Sequence, residues 1–175
     1  MKKLLMVAST VLLAASVCYA DNSNTGTSVL DLTVGNEAAI VVGTTPAFTS
    51  VGIFGTYTTS TPFTYYIRTS QTSGTGSITV QFNSDWAGSG GPSITTPPTA
   101  GDYLSYVNTV SSPGTIGAAG NITALSSPYS VATFGANATS AISGNPGSVA
   151  WSLVNDPKYA QGSYSVTATF TISAT

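Results

Sequence analysis

Apolar residues recur at every second position along most of this chain, and nowhere with the spacing of a helix. Tyr164, Val166, Ala168, Phe170 and Ile172 alternate with Ser165, Thr167, Thr169 and Thr171. Val149, Trp151 and Leu153 alternate with Ala150 and Ser152, and Ile78, Val80 and Phe82 with Thr79 and Gln81. Phe63, Tyr65 and Ile67 alternate with Thr64, Tyr66 and Arg68, and Leu30, Leu32 and Val34 with Asp31 and Thr33. Successive side chains of a strand point to opposite faces. A period of two carried by β-branched and aromatic residues therefore marks a strand buried on one side. Less regular strands are predicted over residues 39–42, 52–54, 103–110 and 131–134.

Turn signals separate these segments: Gly74-Thr75-Gly76, the Gly88 to Pro92 run, Pro97-Pro98, Pro113-Gly114 and Asn155-Asp156-Pro157. Many short strands punctuated in this way predict an all-β chain, an antiparallel two-layer β-sandwich of about 7–9 strands. Residues 85–101 read as one mobile surface loop. Residues 111–128, rich in Gly, Ser and Ala, read as a second.

The first twenty residues read as a secretory signal peptide. Lys2 and Lys3 precede an apolar stretch over residues 4–17, and Cys18-Tyr19-Ala20 sets up cleavage before Asp21. That stretch is short for a membrane span, which needs about 20 residues. The alternative, a lipidated Cys18, meets a poor lipobox in Ala15-Ser16-Val17. Residues 21–27 are then a flexible polar tail and residues 28–175 a single domain. No later segment is apolar enough to span a membrane, so the address is secreted, periplasmic or cell-surface.

Composition removes whole classes of function. Charged residues make up 6% of the chain, against about 25% in an ordinary soluble domain. Beyond the signal only Arg68 and Lys158 are basic, which is no footprint for nucleic acid. There is no His, and Cys18, the single Cys, lies within the signal. Transition-metal sites and His- or Cys-based nucleophilic catalysis are therefore outside the inventory. No cofactor is expected, and the chain reads as a non-enzyme.

The remaining candidates are few. Two of the six acids, Asp21, Asp31, Glu37, Asp85, Asp102 and Asp156, could in principle do glycosidase work, but nothing in their spacing selects a pair. Asp102 in Gly-Asp-Tyr and Asp156 in Asn-Asp-Pro are turn formers by context. Asn83 and Asp85 are the best candidates for calcium, which takes oxygen ligands. Lys158 is the only base a serine nucleophile could use, and no Ser-x-x-Lys surrounds it. Trp86, Tyr57, Tyr66, Tyr103 and Tyr106 are candidates for a stacking face, with Trp86 beside the Gly-rich loop the foremost ligand contact. Trp151 belongs in the core. Two sequons, at Asn121 and Asn137, are near chance in a chain so rich in Ser and Thr.

The C-terminal quarter carries a resemblance. Trp151-Ser-Leu153, a turn, Gly162-Ser-Tyr164 and a Thr-alternating strand through Phe170-Thr-Ile172 resemble the end of secreted bacterial sandwiches of the spore-coat-U and pilin-like kind. The same steps look like the WxL cell-surface domain, with Phe170-Thr-Ile172 where a second Trp-x-Leu stands. The resemblance implies an immunoglobulin-like fold and work in attachment or assembly. The strand opening at Ser163 contains neither charge nor Pro, so its edge must be covered, central or offered to another chain. Leu30, Leu32 and Val34 mark a segment that either pairs within its own molecule or adds as a strand to another. The leading expectation is thus a structural or adhesive surface subunit that self-associates or joins another surface protein. The alternative is a monomeric carbohydrate- or ligand-binding module centred on Trp86. Intact mass of exported protein checks the export reading: the chain should begin at Asp21 without lipid.

Overall fold

The computed structural model describes residues 28–175; the signal peptide, Cys18 and the polar tail over 21–27 lie outside the described residues. Val34–Thr175 forms one compact unit, and residues 28–33 fall in the other. The described chain is all-β, with ten strands and no helix. These are β1 (Glu37–Val42), β2 (Thr49–Ser50), β3 (Tyr57–Arg68), β4 (Gly76–Phe82) and β5 (Leu104–Val110). They continue with β6 (Thr115–Ile116), β7 (Gly120–Ile122), β8 (Tyr129–Phe134), β9 (Asn145–Leu153) and β10 (Ala168–Ala174).

Two antiparallel sheets result. One runs β1-β3-β9-β5-β7, with β2 sharing the β1 side of β3, and the other runs β10-β4-β8-β6. β3 and β9 pair over nine positions, from Tyr57 opposite Leu153 to Tyr65 opposite Asn145. The alternation seen in the sequence sets which side chains face inward. Phe63, Tyr65 and Ile67 of β3 meet Ile78, Val80 and Phe82 of β4 in a single buried cluster with Val149, Trp151 and Leu153 of β9. Aromatic pairs bolt the layers together: Phe82 meets Trp151 edge-on at 5.7 Å, Tyr65 meets Phe134 at 5.2 Å and Phe63 meets Phe170 at 5.9 Å. Such contacts favour tilted and edge-to-face geometry because of the ring quadrupole.

Burying the Trp151 indole requires a partner for its N–H. Nε1 donates to Thr61 Oγ1 at 2.8 Å, and Thr61 Oγ1 shares a 2.7 Å hydrogen bond with Thr45 Oγ1. The chain between β1 and β2 is thereby pinned to the core through a tryptophan on a third strand. Gly43 N–H donates to the Pro62 carbonyl at 2.8 Å and closes the same bend.

Several expectations need correction. The alternating segment Leu30, Leu32 and Val34 forms no strand, since a strand exists only by pairing and these residues have no partner strand among the described ones. Leu30 is 93% exposed, Leu32 86% and Val34 56%. Residues 52–54 are a turn rather than a strand, with positive φ at Gly52 and Phe54. The final strand begins at Ala168, four residues later than the alternation suggests. Before it, the chain makes a single bridge between Ser165 and Ala87. The loop expected over 111–128 contains β6 and β7. Val166, Phe170 and Ile172 pack against the core but remain partly exposed.

Replacing Trp151 with Ala removes a large buried ring and its hydrogen bond to Thr61, and should cost about 3–5 kcal/mol. Chemical denaturation measures it. A variant unfolding close to the wild-type midpoint would place Trp151 outside the core.

Candidate functional site

Residues 85–101 include no strand, yet they are organised rather than loose. The Asp85 carboxylate does this: Oδ1 accepts from the Trp86 amide at 2.8 Å and from the Ile94 amide at 2.7 Å. Oδ2 accepts from the Ser93 hydroxyl at 2.6 Å. Ile94 is thereby fixed with its side chain fully buried. The glycine run between these contacts is tied down as well, because the Ala160 amide donates to the Gly90 carbonyl at 2.7 Å.

The glycines of this loop have a local cause. The Tyr164 ring lies directly on them, so close that a Cβ at Gly91 would fall 2.1 Å from Tyr164 Cε1. Only glycine permits that approach. Tyr164 OH donates to the Ala160 carbonyl at 2.6 Å, which holds the ring in place.

These contacts build one wall of a groove of ≈ 710 Å³. Phe48, Tyr57, Trp86, Tyr159 and Tyr164 supply its aromatic surface, and Pro46 and Pro92 extend it. Phe48 and Trp86 pack at 5.9 Å, tilted by 56°. Thr45, Asn155, Gln161, Ser163 and Ser165 provide hydroxyls and amides, and no charged side chain among the described residues lines it. Two polar atoms of its lining residues, Trp86 Nε1 and Tyr159 OH, are shielded from solvent and lack a hydrogen-bond partner among the described residues.

Of the aromatic candidates read from the sequence, Trp86 and Tyr57 come together here. Tyr66 lines a separate concavity beside the 2.8 Å ion pair of Arg68 with Glu37. Tyr106 is a core residue against Trp151, and Tyr103 lines neither hollow. Phe48, Tyr159 and Tyr164 were not foreseen. The clue to Tyr164 was the glycine run itself, which needs a bulky partner to explain it.

The polar candidates have structural employment. Both Asp85 oxygens take N–H or O–H donors that a cation would have to displace, and Asn83 Oδ1 accepts from Gln81 Nε2 at 2.7 Å. No group of three or more His, Cys, Asp or Glu converges among the described residues. Asp156 closes a turn, accepting from the Lys158 amide at 2.9 Å. That amide, with the Thr99 hydroxyl, holds its carboxyl below the usual range. The Asp102 amide donates to the Thr99 carbonyl in the neighbouring turn. Lys158 Nζ donates to the Pro98 carbonyl at 3.2 Å.

Asp102 and Asp156 do converge in one respect, since both charges act on Tyr159. Burial first, then these two carboxylates, push the Tyr159 phenol up to about 12. Its neutral form is thus favoured in the folded chain, and stability should fall as pH rises from about 10 to about 12. Tyr65 and Tyr106 are also raised by burial and contribute in the same direction. Tyr159→Phe should flatten the alkaline loss of stability in part, and remove a late-ionising phenol from the tyrosinate absorbance titration. An unchanged titration would show that Tyr159 ionises normally.

No protein-family model, curated protein or solved structure matches the chain, so the geometry above is the ground for any functional reading.

Proposed function

We propose that this chain is a non-enzymatic, exported structural or adhesive subunit that assembles by β-strand addition. The observation that carries it is the nature of the edges. Natural sheets guard a free edge with Lys, Pro, inward charge or extreme shortness. On one flank of the sandwich the sheets end in β7 and β6, of three and two residues. On the other they end in β1 and β10, of six and seven residues, which pack against each other. β10 reads Ala-Thr-Phe-Thr-Ile-Ser-Ala, without charge or Pro, and pairs with β4 alone. Its inward residues are only half-buried.

The seam on this flank opens towards the core. A cavity of ≈ 260 Å³ is lined by Val42, Phe82, Leu104, Trp151, Val166 and Phe170, among others. An added strand with alternating apolar residues would satisfy the edge amides and carbonyls and cover Phe170 and Ile172. Residues 28–34 have that pattern and lie outside any strand. Their donation to a second copy is a head-to-tail contact, which grows filaments when the rotation does not close.

The test is assembly of exported protein. Each apolar side chain buried contributes roughly 1.5–3 kcal/mol before the cost of association. A Leu30→Asp, Leu32→Asp, Val34→Asp variant should therefore weaken self-association by about a hundredfold or more with its melting temperature unchanged. A peptide spanning residues 28–36 should bind wild-type protein and block growth. Light scattering and negative-stain microscopy read both. A wild-type chain that stays monomeric at high concentration, or a variant that assembles normally, overturns the reading.

A further inference from the structure

The groove beneath Trp86 is independent of the strand-addition reading and has its own chemistry. Its aromatic surface comes from four separate stretches of chain, represented by Phe48, Tyr57, Trp86 and the pair Tyr159 and Tyr164. Two of them are held in place: the Trp86 ring packs on Phe48, with its backbone fixed by the Asp85 carboxylate, and the Tyr164 ring is anchored by its hydroxyl on the Ala160 carbonyl. Aromatic rings that are partly exposed yet locked in this way form a ready-made stacking surface, with little side-chain entropy left to lose.

The two tryptophans of the sandwich differ in one respect. Trp151 is buried and its indole N–H is paired with Thr61. Trp86 Nε1 is equally shielded and has no partner, and Tyr159 OH in the same groove has none either. Shielded donors without partners are rare in folded proteins, and each one calls for an explanation. Both belong to residues lining one hollow, yet neither atom is itself open to it, so the ring faces and the exposed amides and hydroxyls of the rim carry the chemistry of the groove.

We propose that this groove binds a neutral carbohydrate, an oligosaccharide of uncharged pyranose units. A pyranose ring presents an apolar C–H face and a rim of hydroxyls, so it needs aromatic faces bordered by uncharged donors and acceptors. Gln161, Asn155 and Ser163 border the aromatic surface in that manner, and no Lys, Arg, Asp or Glu among the described residues lines it. Anionic sugars would find no counter-charge, and a wholly apolar ligand would leave the amides and hydroxyls stripped of water. The volume of ≈ 710 Å³ lies within the range of about 300–1,000 Å³ usual for small-ligand sites.

The experiment is titration calorimetry of the full exported protein with cello-, xylo-, manno- and chito-oligosaccharides, and with a polyproline peptide as the competing occupant. At least one neutral oligosaccharide should bind with an affinity insensitive to salt. Trp86→Ala should weaken it at least tenfold, and Trp86→Phe, which keeps a stacking ring but lacks the N–H, by less. Gln161→Ala and Ser163→Ala alter only exposed rim side chains, and each should weaken binding severalfold even if Trp86→Ala fails to fold. The inference is overturned if no oligosaccharide binds, if binding ignores all four substitutions, or if the polyproline peptide alone occupies the groove. Leu30→Asp, Leu32→Asp, Val34→Asp protein should bind the sugar as wild type does. Failure of one reading is thus distinguishable from failure of the other.

Discussion

The Trp151 indole sits on β9, the strand that joins β3 to β5, and much of the molecule is arranged around keeping it dry and satisfied. Its ring packs edge-on against Phe82 of the facing sheet and against Tyr106 of its own. Its N–H needs Thr61, and Thr61 in turn positions Thr45. A buried ring of this size brings a large hydrophobic gain, but only while its single donor is paired. The hydroxyl chain that pairs it also fixes the segment carrying Phe48, and Phe48 packs on Trp86. Core and groove are therefore mechanically continuous, through three side chains and one bend.

With charge so scarce, hydroxyls and main-chain groups take over work that ion pairs and charged guards do elsewhere. Asp85, one of few carboxylates, organises a loop by accepting three hydrogen bonds from its own neighbourhood. The Arg68–Glu37 pair ties β1 to β3 at the exposed margin of the sheet, where such pairs contribute little, about 0–1 kcal/mol. β10 packs against β1 but carries no charged side chain of its own. Its outward positions are Thr and Ser, which suit a pleated surface but do not repel a second strand.

Strand type and core membership were legible wherever alternation was long and partnered. Val149, Trp151 and Leu153, or Ile78, Val80 and Phe82, needed only period and residue type. Residues 28–34 show the limit of that reading, because alternation describes a strand's faces and not whether an edge is present to receive it. Tyr164 shows another: its alternation with Val166 is real, but the ring is drawn onto Gly88 and Gly91 and the backbone leaves the sheet. Trp86 was singled out for its place beside a glycine-rich loop, and it does line the groove. Phe48 and Tyr159 were not, because the groove is assembled from segments far apart in the chain, a fact carried by topology rather than by local pattern.

That topology has a consequence for the order of folding. β10 closes against β4, and the pairing extends to Thr75 and Thr175, separated by 100 residues. Contacts of such long range pay their loop-closure entropy late and slow the search for the native state. A chain emerging from its N-terminus cannot complete the second sheet until β10 has appeared. Until then Phe63, Ile78 and Val80 lack their cover from Phe170 and Ile172. The second sheet therefore closes late, in a step that waits for the last seven-residue strand to arrive.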